Sequence, residues 1–233
     1  MKRNKHFILK FICAFILTIS FFSILPRAQE EKEIYLTFDD GPGGKVTTDV
    51  LDILKREDVP ATFFLIGNQI KGQEDLVKRM VIEGHSLGLH SMTHNRSKLY
   101  SSNQIFLKEM LECQKTINEA CGVSPSILRF PFGCNNNSYH LKKTLVDLLH
   151  ENNLKIYDWN QDSTDGANPN ASPSTYIKRS KSNKSPIILL MHCGYINKNS
   201  AKALPEIIKY YKDEGYKFKV ISNETEEMFH FLK

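Results

Sequence analysis

The chain has 233 residues, 41% of them hydrophobic, which is enough for one domain of ordinary size and excludes a disordered chain. Its formal net charge is +5, but five of its 31 basic residues and none of its 26 acidic residues lie in residues 1–28. The remainder is therefore balanced at 26 basic and 26 acidic residues. This balance gives no electrostatic support for binding nucleic acid.

Residues 1–28 have a basic start followed by an apolar run over residues 11–25. This pattern is typical of a secretory signal or a membrane anchor, and a terminal position with one-sided charge makes a buried core helix the less favoured alternative. Cleavage and retention both stay open, because Pro26 and Arg27 stand where small residues usually precede a cleavage site. Basic residues before an apolar run stay on the cytoplasmic side of the membrane. We therefore expect residues 29–233 to be extracellular, either secreted or anchored.

After residue 28, strand-like and helix-like stretches alternate. The predicted strands are IYLTFDD (34–40), ATFFLIG (61–67), HSLGLHS (85–91), ILRFPFG (127–133), KIYDWNQD (155–162), PIILLMH (186–192) and YKFKVIS (216–222). The predicted helices cover residues 48–57, 74–83, 103–120, 139–152, 175–181 and 201–214, with a short one after residue 223. This order predicts a parallel α/β sheet in a single catalytic domain, closed as a barrel or doubly wound.

Polar side chains stand at or just beyond the ends of these strands. They are Asp39, Asp40, His90, His94, Arg129, Asp162, Asp165 and His192. In a parallel α/β barrel the carboxyl ends of the strands share one rim, and active sites are built there. The sequence therefore predicts that these side chains form one site.

Two adjacent carboxylates, Asp39 and Asp40, close the first strand directly before a Gly-Pro-Gly-Gly turn. Two like charges this close raise the cost of ionising both, so a compensating cation is expected nearby. One aspartate can bind a metal ion while the other takes a proton from water held there. A turn cap is the plainer alternative, and it accounts for one aspartate more easily than for two.

His90 and His94 stand four residues apart in HSMTH, where a short helical turn would direct both rings to one side. The spacing alone is a weak indication, and unrelated histidines are the commoner explanation. With an aspartate from another strand end, the pair makes a catalytic zinc site with a position left open for water.

Arg129 in RFPFG is expected to pair with the catalytic base, because a guanidinium stabilises a charged carboxylate. A surface salt bridge is the alternative, and the apolar strand before Arg129 disfavours it.

His192 ends ILLMH and is suited to protonating a leaving amine, with Asp162 or Asp165 holding its other ring nitrogen. A histidine alone at a strand end would more often be structural, and the shared rim favours catalysis.

In order, TFDDGP, HSMTH, RFPFG, DSTDG and LMH resemble the five motifs of the polysaccharide deacetylases, carbohydrate esterase family four with the NodB-homology domain, over residues 34–222. The resemblance implies a distorted (β/α) barrel of about seven parallel strands. It also implies a hydrolase that removes N-acetyl groups from a sugar polymer. We expect peptidoglycan rather than chitin-type oligomers as this polymer, because residues 1–28 indicate a protein tethered near the cell surface, and we expect a monomer.

The resemblance also implies roles for individual residues. A divalent metal, usually zinc but with cobalt, nickel and manganese as alternatives, would be held by Asp40, His90 and His94. The reaction would use Asp39 as general base, His192 as general acid, Arg129 to orient the base, Asp165 to tune the acid and the backbone N–H of Phe132 at the oxyanion.

Some positions depart from the family pattern. Gly166 stands where a tryptophan is common, so we expect the acetyl pocket to lack an apolar wall or another side chain to replace it. Leu89 stands where many relatives have asparagine. Trp159 is expected to pack in the core rather than to stack on a sugar. The pairing of four cysteines is left open: Cys113, Cys121, Cys134 and Cys193.

Two alternative functions remain open. The first is an esterase that removes O-acetyl groups from xylan or another glycan, since the same site would handle both bonds. The second is a catalytically silent protein that binds the cell wall. The full set of candidate metal ligands, base and acid favours an enzyme over a binding protein.

Overall fold

The computed structural model describes residues 31–232, and the predicted signal or anchor at residues 1–28 lies outside this range. None of the helices within residues 31–232 has both the length and the apolar character that crossing a bilayer requires.

Eight of the strands in the described part of the chain form one parallel sheet, in the order β7-β4-β3-β2-β1-β9-β8, with β10 paired to the start of β1. The strands are β1 (Glu33–Gly41), β2 (Thr62–Leu65), β3 (Ser86–Leu89), β4 (Ile127–Leu128), β5 (Asn135–Asn136), β6 (Tyr139–His140), β7 (Lys155–Ile156), β8 (Gln161–Asp162), β9 (Ile187–His192) and β10 (Lys217–Lys219). The remaining two, β5 and β6, form a separate antiparallel hairpin.

Helices connect most of the parallel strands. They are α1 (Lys45–Glu57), α2 (Glu74–Ile82), α3 (Arg96–Leu99), α4 (Asn103–Cys121), α5 (Lys143–Glu151), α6 (Pro173–Ser180) and α7 (Lys198–Asp213). The longest, α4, is capped at its start by Ser102, whose hydroxyl accepts a hydrogen bond from the Ile105 N–H, and at its end by Gly122 in a left-handed conformation. Its buried side chains pack against the sheet core, which is why this stretch is helical at its predicted position.

The sheet curls into a distorted barrel because β7 and β8 are consecutive in the chain but lie at opposite ends of the strand order. Only the four residues 157–160 join them, so the two edges of the sheet lie close together. The predicted strand over residues 155–162 is therefore two short strands. The predicted fold class, a distorted barrel of parallel strands, is confirmed.

Two predicted helices differ in the structure. The one expected over residues 139–152 begins only at Lys143, because Tyr139 and His140 pair with the preceding strand β5. The one expected after residue 223 is wrong, since residues 223–232 form turns, bends and a single bridge. There the backbone N–H and carbonyl of Met228 bond to Ile156 and Asp158 across the chain instead of within a helix.

The core lies between the sheet and its helices. Residues 34–38 of β1 are buried without interruption, as expected for a central strand of a parallel sheet covered on both faces. The four cysteines within the described residues are all free: Cys113, Cys121, Cys134 and Cys193. The fold is therefore stabilised by apolar packing, with no disulfide in this part of the chain.

Candidate active site

The carboxyl ends of neighbouring strands bring the predicted polar residues together on one rim. Asp39 and Asp40 lie near the end of β1, His90 directly follows β3, Arg129 directly follows β4, and His192 ends β9. Because these strands run parallel, their ends meet, and the predicted placement agrees with the structure.

Asp40, His90 and His94 form a cluster suited to a metal ion. Oδ1 of Asp40 lies 3.5 Å from Nε2 of His90 and 3.4 Å from Nε2 of His94. One ligand atom from each of the three residues lies within 4.8 Å of the others, and no second group of this kind occurs within residues 31–232. Oδ1 of Asp40 is buried and has no hydrogen-bond partner among the described residues. A buried carboxylate oxygen in this state needs a cation, so these residues fit a divalent metal.

The ring of His90 is held in the orientation that a ligand requires. Its Nδ1 lies 2.9 Å from the carbonyl oxygen of Arg129, which can only accept a hydrogen bond, so Nδ1 carries the hydrogen and Nε2 keeps its lone pair. Burial lowers the pKa of His90 to about 3, and the neighbouring His94 adds to this effect. The imidazole is therefore neutral, as a metal ligand must be.

The loop that carries both histidines is not helical, and the predicted helical turn is wrong. Ser91 and His94 have φ values of 70° and 53°, and the His94 N–H donates to Oγ of Ser91 at 2.9 Å. The backbone thus turns sharply between the two histidines, whose ring centres lie 5.1 Å apart. A local turn stabilised by Ser91 replaces the helical i, i+4 geometry.

Glu109 on α4 supports this loop and was not singled out from the sequence. Its Oε2 accepts hydrogen bonds from both the N–H and the hydroxyl of Thr93, each at 2.8 Å, and its carboxylate pairs with Lys98. Glu109 is only 1% exposed. The sequence could have pointed to Glu109, because it lies between Phe106 and Cys113 in the stripe of α4 that is buried, where an apolar residue is expected.

Asp39 pairs with Arg129, as the sequence predicts. Nη1 of Arg129 lies 2.9 Å from Oδ1 of Asp39 and 2.7 Å from Oγ1 of Thr37, while Nε donates to the carbonyl of Tyr157. Arg129 is fully buried, so this network fixes the orientation of the carboxylate. Burial raises the pKa of Asp39 above its ordinary value, and the Arg129 charge offsets this only in part.

His192 pairs with Asp165, which decides between the two aspartates considered from the sequence. Nδ1 of His192 lies 2.7 Å from Oδ1 of Asp165, and the His192 N–H donates to Oδ2 at 2.8 Å. Asp162 instead accepts a hydrogen bond from the Thr164 N–H. Burial lowers the pKa of His192, but the hydrogen bond and charge of Asp165 outweigh it and raise the pKa to about 9.

Phe132 lies beside the metal cluster. Its ring is 38% exposed and meets the His94 ring edge-on, with ring centres 4.6 Å apart. Within the described residues, its N–H donates to no protein acceptor. Phe132, like Asp40 and His94, has a positive φ (67°, 65° and 53°), and such conformations in residues other than glycine concentrate at functional sites.

Gly166, where we expected either a missing apolar wall or another side chain in its place, lies against the ring of His192. A Cβ on Gly166 would lie 2.4 Å from Cε1 and 2.7 Å from Nε2 of His192, so the imidazole itself fills that space. Trp159 is half-buried and packs over Gly133, where a Cβ would lie 3.0 Å from the indole ring. Trp159 therefore packs at the edge of the core, which meets the expected core packing only in part.

Comparisons with known proteins agree with this geometry. The family model described as polysaccharide deacetylase matches residues 27–149. The chain is 39% identical to a peptidoglycan-N-acetylglucosamine deacetylase of Bacillus cereus, over 85% of this chain and 72% of that relative. It is 34% identical to peptidoglycan-N-acetylglucosamine deacetylase PgdA of Listeria monocytogenes, over 84% of this chain but 40% of that longer relative. The crystal structure of a polysaccharide deacetylase from Bacillus cereus matches the fold with a TM-score of 0.77 at 39% identity, covering 84% of this chain and 95% of that one.

Proposed function

This chain belongs to the polysaccharide deacetylase family, and from that premise we propose that it hydrolyses the N-acetyl groups of peptidoglycan sugars with a zinc ion at Asp40, His90 and His94. The observation that carries this proposal is the buried, unpartnered Oδ1 of Asp40 between two imidazole nitrogens. Two imidazoles and one carboxylate are typical zinc ligands, and such a site leaves a coordination position open.

A bound divalent cation would supply Lewis-acid chemistry at this site, polarising a carbonyl oxygen and lowering the pKa of water. The proton acceptor is Asp39, which takes the proton of the water that attacks the acetyl carbonyl. Arg129 holds the Asp39 carboxylate in one orientation, so the acceptor oxygen needs no rearrangement during the reaction. The burial that raises the pKa of Asp39 also makes it a stronger base.

His192 supplies the proton that the leaving amine needs. Its pKa of about 9 keeps the ring protonated at neutral pH, and Asp165 occupies Nδ1, so Nε2 is the nitrogen that donates. The Phe132 N–H, which has no acceptor within the described residues, would donate to the oxygen that becomes negative in the transition state. The carbon–nitrogen bond breaks, and the products are acetate and a free amino sugar.

Peptidoglycan is proposed as substrate because the Bacillus cereus and Listeria monocytogenes relatives are named for it. The basic and apolar pattern of residues 1–28 supports a location outside the membrane, where a cell-wall polymer is within reach. Fold alone assigns no substrate, so this choice needs a direct test.

The test is acetate release by the purified full chain from peptidoglycan, N-acetylglucosamine oligomers and acetylated xylan. Each reaction is run as purified, after chelation and after zinc is restored. We expect chelation to stop acetate release from peptidoglycan and zinc to restore it.

Other outcomes would select the alternative functions. Acetate released only from acetylated xylan would identify an O-acetyl esterase. Binding to cell walls without acetate release from any of the three polymers would identify a wall-binding protein. Release that survives complete metal removal would contradict the proposed metal site.

A further inference from the structure

Two exposed apolar side chains follow His192 on the catalytic rim. Tyr195 is 58% exposed and Ile196 is 69% exposed, although both lie in the short loop between β9 and α7. Neither takes part in the mechanism described above. Two adjacent exposed apolar side chains beside a polar site make this loop a candidate surface for binding a ligand.

Tyr195 is held in a fixed orientation. Its hydroxyl accepts a hydrogen bond from Nε2 of Gln73 at 2.8 Å, and Oε1 of Gln73 accepts one from the Gly44 N–H at 2.8 Å. The ring rests against Gly44, where a Cβ would lie 3.2 Å from Cε1 of Tyr195. One side of the ring is therefore supported by the turn after β1, and the rest faces solvent. A ring restrained in this way loses little conformational entropy when a ligand binds.

The position of Tyr195 connects it to the metal cluster. The backbone of the preceding residue packs on Asp40, because a Cβ on Gly194 would lie 3.2 Å from Cβ of Asp40. Phe132, the other exposed aromatic residue of the rim, contacts His94. In the strand order, β9 lies beyond β1 and β4 lies beyond β3, so Tyr195 and Phe132 flank the metal ligands on opposite sides.

We propose that Tyr195 and Ile196 form a carbohydrate-binding subsite for the sugar next to the one that loses its acetyl group. This inference rests on the proposed function, because it takes the substrate to be a sugar polymer. Pyranose rings have apolar C–H faces that pack on aromatic rings, and a polymer that reacts over Asp40 must lay its neighbouring sugars across the rim. The subsite therefore selects chains over single sugars.

The test compares wild type with Tyr195→Ala on a pentamer of N-acetylglucosamine and on para-nitrophenyl acetate, which has no neighbouring sugar to place on Tyr195. We expect KM for the pentamer to rise roughly five- to tenfold, the range of one aromatic contact, with kcat changed by less than about twofold. Hydrolysis of the small ester should be unchanged. Tyr195→Phe keeps the ring but loses the hydrogen bond from Gln73, and it should stay within about twofold of wild type on both substrates.

Ile82→Ala is the matched control, since Ile82 is 82% exposed and ends α2 away from the rim. It should leave KM unchanged. A pentamer KM that is the same in Tyr195→Ala and wild type would overturn the subsite. An equal loss on the small ester would also overturn it, because Tyr195 would then act only as a strut for the turn after β1.

Binding separates this inference from the proposed function. Calorimetric titration of the pentamer into the zinc-loaded proteins requires no turnover. If wild type released no acetate but bound the pentamer more tightly than Tyr195→Ala, the proposed reaction would fail and the subsite would stand. Equal affinities of the two proteins would overturn the subsite, whatever the activity.

Discussion

Asp39 and Asp40 are neighbours in the chain but meet different surroundings. Asp40 adopts a positive φ of 65°, where the register of β1 is irregular between Phe38 and Gly41, and its carboxylate lies beside His90 and His94. Asp39 remains in the strand geometry and pairs with the buried Arg129. Arg129 thus compensates the charge of Asp39, and the cation proposed at His90 and His94 would compensate the charge of Asp40, which accounts for two adjacent acids.

Asp39→Asn should therefore reduce acetate release by at least about 100-fold, because an amide cannot accept the proton of the attacking water. Zinc should stay bound, since all three ligands remain, whereas Asp40→Ala should lose it. Acetate release and zinc content of the same purified samples check both expectations. Full activity of Asp39→Asn would show that another group is the base.

The contact between Gly166 and His192 leads to a second prediction. The backbone of Gly166 is not left-handed, so alanine is strained there only by the imidazole 2.4 Å from its Cβ. Gly166→Ala should displace the His192 ring and lower kcat for the amide by roughly 10- to 100-fold, as small misplacements of catalytic groups do. An activated ester has a better leaving group and should lose less. Equal losses on the amide and the ester would contradict a displaced acid.

At the scale of elements, the sequence predicted most of the helices and the association of polar residues with strand ends, but not the shape of the loops that carry the site. An apolar run that stops before Asp39 or His192 is visible in the sequence, and parallel strands bring the ends of such runs together. The loop from His90 to His94 was mispredicted as helical because its shape depends on hydrogen bonds to Ser91 and to the distant Glu109. The Glu109 contact joins residues 16 positions apart in the chain and leaves no local pattern.

The support that α4 gives to the metal loop can be tested through Glu109. Glu109→Ala leaves the Thr93 N–H and Lys98 without their partner, so the loop that carries His94 should loosen. We expect zinc affinity to fall roughly 10-fold or more, the usual effect of losing a group that supports a ligand. Competition with a chromogenic zinc chelator measures this affinity.

The same helix provides the control. Glu112 lies one turn from Glu109, and its exposed carboxylate is 3.7 Å from Lys108. Glu112→Ala removes an equivalent charge at the surface and should leave zinc affinity unchanged. If both variants lost zinc equally, the effect would belong to helix charge rather than to the Thr93 contact.

At the scale of the whole molecule, the two ends of the sheet serve different purposes. The carboxyl end gathers the charged groups of the site, while the amino end holds an isolated buried histidine before β3. His85 is 7% exposed, and its Nδ1 accepts a hydrogen bond from the Ala61 N–H at 3.1 Å. Burial lowers the pKa of His85 to about 4. The charge of Glu83 raises this pKa and the charge of Arg79 lowers it, so the two partly cancel. His85 is therefore a neutral structural group in the folded protein.

This burial makes the stability of the protein depend on pH. In the unfolded chain His85 has a pKa of 6.5, so between pH 6.5 and about 4 the unfolded chain binds a proton that the folded chain does not. The stability due to neutral His85 is present above pH 6.5 and is lost as the pH falls towards 4. At pH 5 the loss is about 2 kcal/mol, from the difference between these two pKa values.

His85→Asn isolates this contribution, because the asparagine amide oxygen can still accept the Ala61 N–H but does not titrate. Between pH 7.5 and pH 5, the free energy of unfolding of wild type should fall by about 2 kcal/mol more than that of the variant. Urea unfolding of both proteins at the two pH values measures the difference, and carboxylates that titrate in both proteins cancel. If the free energies of unfolding of the two proteins fell equally, His85 would gain its proton in the folded state as easily as in the unfolded one. The amino end of the sheet would then admit water.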